Sequence, residues 1–377
     1  MIYLDNSAST YYKPWCVKWS AIKSLFLLNA NPGRAGHLAS VRSSEAIFRT
    51  REILADTFGV MADRVVFTSG CTEAINLAII GSVKKGGHII TTCFEHNAVL
   101  RTLEYLKDKG EITYSVIYPK SDDYVFSISE FEKARKENSY MIIVNHISNV
   151  VGVEQNISQI GEWAHKNKLL FVVDGAQSAG HRNINMYDGN IDMLALAGHK
   201  GLLGLQGAGA LLVSDGVQLK PIKYGGTGTY SESVKQPNGI PEGLESGTLP
   251  TIPIVTLGEG CKYAYKQLAK YETKIRLLTD YLLEGLANID NVLLYTPFNA
   301  LNGVVAFNVK GYTSSEVADY LNESYNIAVR SGLQCAPYVH KFLGTLGQNG
   351  VVRVSISSNT TKKQIKKFMS AIKKLNN

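Results

Sequence analysis

Short apolar runs alternate with amphipathic stretches through the middle of the chain. Between the runs, apolar residues recur at the three- and four-residue spacing of a helix face, for example over 72–80 and 99–107. The runs lie at 65–67, 89–90, 112–117, 141–144, 169–173, 193–196 and 210–213. Strands that alternate with helices favour an α/β fold. We therefore predict a large domain with a mostly parallel sheet flanked by helices.

Several residues stand at or just past the ends of these apolar runs. They are Thr68, Glu95, Asn145, Asp174 and Ala197. In open α/β sheets the ligand lies beyond the carboxyl ends of the strands. The pattern therefore predicts a binding site that is built from several strand ends at one edge of the sheet.

The last third of the chain has a different pattern. A segment rich in Gly, Pro, Thr and Ser covers 220–253, and one long helical pattern follows over 255–286. A strand at 304–308, a helix from about 315, strands near 327 and 351 and a tail helix complete a smaller α+β C-terminal domain. The predicted division is an N-terminal segment packed near the small domain, a large domain and a small domain, at 1–15, 16–250 and 251–377.

The composition fits an ordinary globular protein, with 45% hydrophobic and 19% charged residues among 377. No apolar run is long enough to cross a bilayer, and the first residues lack a basic and apolar leader, which predicts a cytoplasmic protein. Much of the net charge of +7 comes from lysines at 362–374, which indicate a solvated helix face. Because no aromatic residues are interleaved with them, we expect neither a nucleic-acid nor a membrane partner.

The cysteines are dispersed along the chain. They are Cys16, Cys71, Cys93, Cys261 and Cys335. The sequence contains no C-x-x-C pair and no Cys/His cluster. We therefore expect reduced thiols, and neither a disulfide framework nor a metal site.

Two residues at strand ends have the chemistry of a pyridoxal phosphate (PLP) site. Lys200 follows His199 in a glycine-rich loop after one apolar run, and Asp174 ends the run before it. A PLP enzyme needs a lysine for the Schiff base and an acid that pairs with the pyridinium nitrogen. Such a lysine must be nucleophilic, which requires a pKa lowered by burial or by a nearby cation. Taken singly, a surface lysine in a turn and an acid that caps a helix are the simpler interpretations.

Further residues could complete such a site. A glycine turn between a strand and a helix carries Cys71 and Thr72, where backbone N–H groups and a hydroxyl can hold a phosphate. Gln177 follows Asp174 closely, where its amide can reach the ring's 3-hydroxyl oxygen. His96 follows another strand and could stack on an aromatic cofactor and move protons near neutral pH. Each residue also fits a plain structural role.

Two residues near the C-terminus could act on a substrate. Cys335 lies between a glycine and a proline in a predicted loop, where a thiol with a lowered pKa can be a nucleophile. Arg353 lies inside an apolar strand and needs a partner, and its planar guanidinium suits bidentate capture of a carboxylate. An inert, partly buried thiol and a structural ion pair are the alternatives.

These segments together resemble the class V aminotransferase superfamily of fold-type-I PLP enzymes, and within it the branch of cysteine desulfurases and selenocysteine lyases. The resemblance covers nearly the whole chain. The motifs are, in order, Tyr3-Leu4-Asp5-Asn6-Ser7-Ala8, Asn31-Pro32-Gly33-Arg34, Thr72-Glu73-Ala74-Ile75-Asn76, Glu95-His96-Asn97, His146-Ile147-Ser148-Asn149, Asp174-Gly175-Ala176-Gln177, Gly198-His199-Lys200, Glu245-Ser246-Gly247-Thr248, the Cys335 loop and Arg353. Each motif alone is weak, but their joint order and spacing are specific.

The resemblance implies a role for each site residue. For PLP, it implies attachment to Lys200, the ring nitrogen on Asp174, the 3-hydroxyl oxygen on Gln177, stacking by His96, and phosphate contacts from Thr72, His199 and, across a homodimer, Thr248. For the substrate, it implies that Asn149 and Arg353 bind the carboxylate and that Cys335 receives the sulfur as a persulfide. Cys71 and Asn149 are also counted among the cofactor-contacting positions.

Two positions depart from the family pattern. Ala197 stands where a hydroxyl residue usually binds the phosphate, and the loss of one such hydrogen bond is worth on the order of 1–2 kcal/mol. We therefore expect weaker retention of PLP. Leu205 stands where a proline is common, which affects the rigidity of the loop after Lys200.

The resemblance implies a PLP-dependent cysteine desulfurase that converts L-cysteine to L-alanine and passes the sulfur to an acceptor protein or a small thiol. Sulfur metabolism and iron–sulfur cluster assembly are the setting that it suggests. A selenocysteine lyase, another class V aminotransferase and a PLP-binding protein without turnover are the alternatives.

Overall fold

The structure, a computed structural model, describes residues 1–33, 36–229 and 231–375. Arg34, which closes the second motif, lies outside the described residues. The helices described are α1 (Trp15–Leu27), α2 (Leu38–Phe58), α3 (Cys71–Gly81), α4 (Asn97–Asp108), α5 (Ile128–Ala134), α6 (Ile157–Lys166), α7 (Thr251–Lys266), α8 (Leu268–Ala287), α9 (Ser314–Tyr325), α10 (Pro337–Leu343) and α11 (Lys362–Leu375). The strands described are β1 (Ile2–Tyr3), β2 (Val65–Thr68), β3 (Gly87–Thr92), β4 (Ile112–Ile117), β5 (Ser139–Asn145), β6 (Leu170–Asp174), β7 (Met193–Ala197), β8 (Gly209–Val213), β9 (Val292–Leu294), β10 (Val304–Val309), β11 (Ile327–Ala328) and β12 (Val352–Ser355).

The central sheet confirms the predicted α/β architecture. Within the described residues its strands lie in the order β2-β8-β7-β6-β5-β3-β4. Strand β8 is antiparallel to both neighbours, and the other pairs are parallel. Asn145 pairs with Asp174, and Asp174 pairs with Ala195 on the next strand. The carboxyl ends of three neighbouring strands are therefore level at one edge.

Helices cover both faces of this sheet, as the sequence predicts. Along β5, Met141 and Ile143 pack into one hydrophobic cluster, and Ile142 and Val144 pack into the other. This alternation follows from the two-residue period of a strand. All four side chains are buried, so β5 has no polar face. The apolar runs of the sequence are thus the strands of a sheet that is covered on both sides.

The C-terminal part forms a separate small sheet, in the order β12-β10-β9, with antiparallel pairs. The predicted single helix over 255–286 is wrong. The chain breaks at Gln267, whose backbone has φ −106° and ψ 3°, and forms α7 and α8 instead. The two helices have different partners, because α7 packs on α1 and α2 whereas α8 packs on α11. A helical periodicity on both sides of the break conceals it in the sequence.

Within the described residues, a third hydrophobic cluster packs on the small sheet, in addition to the two on the faces of the central sheet. Ile254 and Leu257 of α7 belong to one of the two clusters of the central sheet. Leu282, Phe307 and Phe368 belong to the cluster of the small sheet. The division of the chain into domains at residue 250 stays a prediction.

The first residues run along the small sheet toward the central one. Strand β1 pairs in parallel with β11, and Leu4 is buried in the cluster of the small sheet. Further on, the Thr10 hydroxyl reaches the loop that follows β7. We call residues 2–13 the N-terminal strap.

The tail helix α11 has the two faces that the sequence predicts. Ile365, Phe368 and Ile372 are buried, whereas the lysines are exposed. In the described ranges, no helix combines the length and the apolar character that a bilayer crossing needs.

A buried ion pair joins α2 to the loop before α7. The Arg51 guanidinium donates to the Glu245 carboxylate and to the Val65 carbonyl, and the Phe67 N–H donates to the same carboxylate. Burial raises the pKa of Glu245, and the neighbouring Arg51 acts to lower it. The pair therefore anchors the loop that carries Thr248.

We predict that Glu245→Ala lowers the free energy of unfolding by about 3–5 kcal/mol, because it leaves the buried Arg51 charge unpaired. A urea titration of the purified protein measures this change. Glu242→Ala, in the exposed part of the same loop, is the matched control. Equal urea midpoints for the two variants would show that the ion pair does not stabilise the fold.

Candidate active site

A cavity of about 450 Å³ opens at the carboxyl edge of the central sheet. Its size suits a cofactor or a small ligand. The predicted site residues that line it are Cys71, Thr72, His96, Asn149, Asp174, Gln177, His199, Lys200, Cys335 and Arg353. Thr248 does not line it, and lies exposed in the loop before α7. The structure thus brings residues from both halves of the chain into one cavity.

Lys200 enters this cavity from the loop after β7. The Thr10 hydroxyl contacts the carbonyl oxygens of His199 and Lys200 at 3.0 and 3.1 Å, and the Lys13 ammonium donates to the His199 carbonyl at 3.0 Å. The strap therefore holds the backbone of this loop. Burial lowers the pKa of Lys200, and Asp174 opposes that shift. A lysine with a lowered pKa is the nucleophilic form that amine chemistry needs.

The loop also depends on a glycine directly after Lys200. A Cβ atom at Gly201 would lie 2.2 Å from the Ala179 carbonyl oxygen. This is well inside van der Waals contact, so any side chain there would push the loop away from the sheet. The tight packing of Gly201 thereby fixes the backbone position from which the Lys200 side chain extends.

Asp174 has one carboxylate oxygen held by the protein. Its Oδ1 accepts from the Ala176 N–H at 2.9 Å and lies 3.4 Å from the Cys71 sulfur. Burial, followed by the charge of Asp174, raises the pKa of Cys71 well above its ordinary value. Cys71 therefore stays a protonated thiol that donates to Oδ1.

Two further side chains have fixed positions beside Asp174. His96 caps α4, and its Nδ1 accepts from the Ala98 N–H at 3.0 Å. Burial lowers the pKa of His96, while the charge of Asp174 raises it. The Gln177 amide donates to the Ser7 carbonyl of the strap at 3.0 Å. Both side chains line the cavity next to the acid that would face a cofactor ring.

One end of the cavity can receive an anion. Helix α3 begins there at Cys71, with Thr72 on the cavity wall, and the N–H groups of a first helical turn attract negative charge. His199 contributes Nδ1, which is buried and has no hydrogen-bond partner in the part of the chain that the structure describes. Burial, Lys200 and Lys13 lower the pKa of His199 to about 4. The imidazole is therefore neutral at pH 7 and can offer one N–H.

Cys335 sits on a loop that is tied to the central sheet. Its carbonyl accepts from the Asn97 N–H at 2.7 Å, and the Asn149 amide donates to the Gln334 carbonyl at 2.8 Å. Gln334 and Cys335 both have positive φ, at 50° and 59°. Two such residues in succession are costly and persist only where surrounding contacts hold them. The contacts keep the Cys335 sulfur at the cavity, 3.8 Å from the guanidinium of Arg330.

Arg353 is a fully buried cation on β12. One terminal nitrogen, Nη1, donates to the Asn149 carbonyl at 3.0 Å, and Nη2 lies 2.6 Å from the Asp5 carboxylate. Among the described residues, its Nε is buried without a hydrogen-bond partner. Arg353 thus has the structural ion pair that the sequence offered as an alternative, and its capture of a substrate carboxylate stays a prediction.

Four residues that sequence reasoning gave no role also contribute to this region. Arg330, Gln334 and Ser7 line the cavity, and Asp5 pairs with Arg353. Arg330 pairs with Arg353 in an isolated antiparallel bridge. The sequence does not predict this bridge, because the neighbouring strand β11 has only two residues and no recognisable pattern. Asp5 and Ser7 stand in the first motif, which was the available signal.

Comparison with known proteins then identifies the family. A sequence profile of the aminotransferase class-V family matches residues 2–368. The chain belongs to this family. Class-V aminotransferases are PLP enzymes, and the cavity holds a lysine and an acid of the kinds that such enzymes use.

Relatives within the class-V family include cysteine desulfurases. The chain is 34% identical to the cysteine desulfurase IscS of Tolumonas auensis, over 97% of this chain and 90% of that protein. It is 32% identical to a probable cysteine desulfurase of Methanothermobacter thermautotrophicus, over 97% of this chain and 92% of that protein. The apo structure of a cysteine desulfurase from Thermococcus onnurineus superposes with a TM-score of 0.91 at 31% identity, covering 99% of this chain and 94% of that one.

We predict that Cys335 is the cysteine that iodoacetamide modifies fastest at pH 7, as measured by peptide mass spectrometry. Burial raises the pKa of Cys93 and Cys261, the latter to about 12. Cys335, in contrast, is half-buried at the cavity, and its sulfur lies 3.8 Å from the Arg330 guanidinium. Reactive cysteines commonly have such a cationic neighbour. Arg330→Met should therefore slow modification of Cys335 severalfold.

Lys341→Met, on the exposed side of α10, removes the same charge away from the cavity and is the control. If iodoacetamide modifies Cys335 at the same rate in the Arg330→Met and Lys341→Met variants, Arg330 does not activate the thiol.

Proposed function

We propose that this class-V family member is a PLP-dependent cysteine desulfurase, which converts L-cysteine to L-alanine and collects the sulfur on Cys335. The observation that carries the proposal is the presence of Cys335 in the same cavity as Lys200 and Asp174. A plain aminotransferase has no use for a thiol at that place. The cysteine desulfurases among the relatives support the same activity.

The donors in the cavity fit PLP. Lys200 is the group that would carry the cofactor, and Asp174 offers its second carboxylate oxygen to the ring nitrogen. His96 and Gln177 would contact the ring, and Asn149 lies near it. The buried, unpartnered Nδ1 of His199, together with Cys71, Thr72 and the N-terminus of α3, suits the phosphate. Bound PLP supplies an electron sink for negative charge at the substrate Cα.

Ala197 removes one expected hydrogen bond from the end of the cavity where the phosphate would bind. It is buried on the cavity wall and offers only a methyl group where a hydroxyl would donate. Thr248 of a second subunit could add a contact, since it is exposed and directed by the loop that Arg51 and Glu245 anchor. A homodimer is therefore part of the proposal.

Arg353 and Asn149 are the groups assigned to the substrate carboxylate. Among the residues that the structure describes, the Nε of Arg353 is buried without a hydrogen-bond partner. The side-chain nitrogen of Asn149 gives one N–H to the Gln334 carbonyl, which leaves its second N–H for a carboxylate. A guanidinium N–H is a strong donor to a carboxylate. Lys200, whose pKa burial lowers, is the base assigned to the substrate Cα proton.

Cys335 performs the sulfur transfer. Its thiolate attacks the substrate sulfur, so that an S–S bond forms while the Cβ–S bond of cysteine breaks. The electron pair of the broken bond stays with the carbon, which takes up a proton and leaves as part of L-alanine. A thiol, on a small molecule or on an acceptor protein, then removes the outer sulfur and regenerates Cys335.

A selenocysteine lyase is the second candidate, because the same residues could act on the selenium analogue of the substrate. The ratio of kcat/KM for the two amino acids separates these activities. Transfer to an iron–sulfur assembly pathway and a cytoplasmic location complete the proposal. The absence of alanine formation from a PLP-loaded protein would favour a binding protein without turnover.

We predict that Cys335→Ser binds PLP with an unchanged visible spectrum but releases no sulfide from L-cysteine in the presence of a reductant. Removal of the thiol leaves Lys200 and Asp174 intact and takes away the sulfur acceptor. The measurements are the spectrum, sulfide and L-alanine. Cys16→Ser, outside the cavity, is the control, and sulfide release by Cys335→Ser at the wild-type rate would refute the assigned nucleophile.

We predict that Lys200→Ala carries no covalent cofactor after incubation with PLP and borohydride. Among the residues that line the cavity, only Lys200 carries an amine that can form the reducible bond to the PLP aldehyde. Intact-protein mass after denaturation measures the attached cofactor. Lys220→Ala, an exposed lysine, should label fully, and a labelled Lys200→Ala protein would contradict the assignment.

A further inference from the structure

Asp5 is the acid that faces Arg353, and it comes from the opposite end of the chain. Its Oδ1 lies 2.6 Å from Nη2 of the arginine. The arginine side chain is 2% exposed, whereas that of Asp5 is 20% exposed. A buried cation needs such a counter-charge. Yet a carboxylate that is already in place weakens the attraction of the arginine for a second carboxylate.

The backbone of the strap fixes the position of Asp5. On one side, the Ser355 N–H donates to the Leu4 carbonyl at 2.6 Å. On the other side, the Ser7 N–H donates to the Ser355 hydroxyl at 2.9 Å, and the Asn6 amide donates to the Ser355 carbonyl at 2.9 Å. None of these bonds involves the Asp5 side chain. Its charge can therefore be changed without release of the strap.

The guanidinium of Arg353 has three nitrogens, and two of them already donate to protein groups. Nη1 is taken by the Asn149 carbonyl and Nη2 by Asp5. Nε has no partner among the described residues although it is buried, and buried N–H groups rarely lack one. A substrate carboxylate that binds Nε would contact the same guanidinium that Asp5 contacts through Nη2. The two negative charges would then lie close enough to repel each other.

We propose that Asp5 is a positioning residue that holds Arg353 in place and limits how tightly the arginine binds the substrate carboxylate. The inference rests on the proposed function, in which L-cysteine and L-alanine carry the same carboxylate. Higher affinity at the carboxylate site would strengthen the binding of substrate and product equally. It would therefore slow product release without lowering the barrier of the chemical step. The negative charge of Asp5 keeps this shared affinity low.

The test is Asp5→Asn in the PLP-loaded protein, because asparagine keeps an oxygen toward Nη2 and removes only the charge. The dissociation constant of L-alanine is measured from the visible absorbance of the bound cofactor. We expect this dissociation constant to fall about tenfold. A neighbouring charge commonly changes a pKa by about one unit, which corresponds to a tenfold change in an equilibrium constant. In steady state, KM for L-cysteine should fall together with kcat, because product leaves more slowly.

Asp5→Glu restores the charge and should restore wild-type affinity for L-alanine. Asp63→Asn, on the surface between α2 and β2, is the control for a lost charge. Asp5→Ser gives the same comparison if the asparagine variant does not fold. An unchanged or a weaker affinity for L-alanine in the uncharged variants would overturn the role of Asp5.

Arg353→Lys separates this inference from the proposed function. If it loses affinity for L-alanine while Asp5→Asn matches the wild type, the carboxylate site stands and the role of Asp5 is wrong. If Arg353→Lys binds L-alanine as the wild type does, the carboxylate site of the proposed function is itself wrong, and the inference falls with it.

Discussion

The level carboxyl ends of β5, β6 and β7 are the constraint on which the rest of the site depends. A crossover connection returns the chain to the same edge of the sheet before each parallel strand begins. The residues that follow these strands therefore lie together at the opposite, carboxyl edge of the sheet. Asn145 and Asp174 are paired neighbours there, and Lys200 follows the next strand within a few residues. The close contact of Gly201 with Ala179 then determines the direction in which Lys200 leaves the sheet.

The second half of the site is joined to this edge by hydrogen bonds and not by a shared sheet. Asn149 is the central residue of that junction, because it donates to the Gln334 carbonyl and accepts from Arg353. Asn97 adds a bond to the Cys335 carbonyl. These bonds hold the Cys335 loop and Arg353 of β12 against the large sheet, although neither is part of that sheet. They therefore help to place the thiol and the arginine in the same cavity as Lys200.

The strands of the central sheet could be predicted because each is a buried apolar run, and the residues that follow them could be predicted because strand ends bind ligands. The break at Gln267 could not, since helical periodicity continues across it. The contact of Asp5 with Arg353 could not either, because β1 and β11 are two-residue strands without a pattern of their own. The contribution of Arg330 to the cavity was missed for the same reason, because its position depends on the bridge to Arg353. Local patterns predicted the residues on the cofactor side as well as Cys335 and Arg353, whereas Asp5 and Arg330 are placed on the substrate side by long-range pairings.

The strap has a consequence for the order in which the protein is completed. Asp5 and Arg353 are 348 positions apart in the chain. The strap is therefore synthesised well before the strand that it binds. Contacts of such long sequence separation form late, because the loop that they close must first be ordered. The strands of the large sheet can therefore pair before β12 is synthesised, while the substrate side of the cavity forms only after β12 is available.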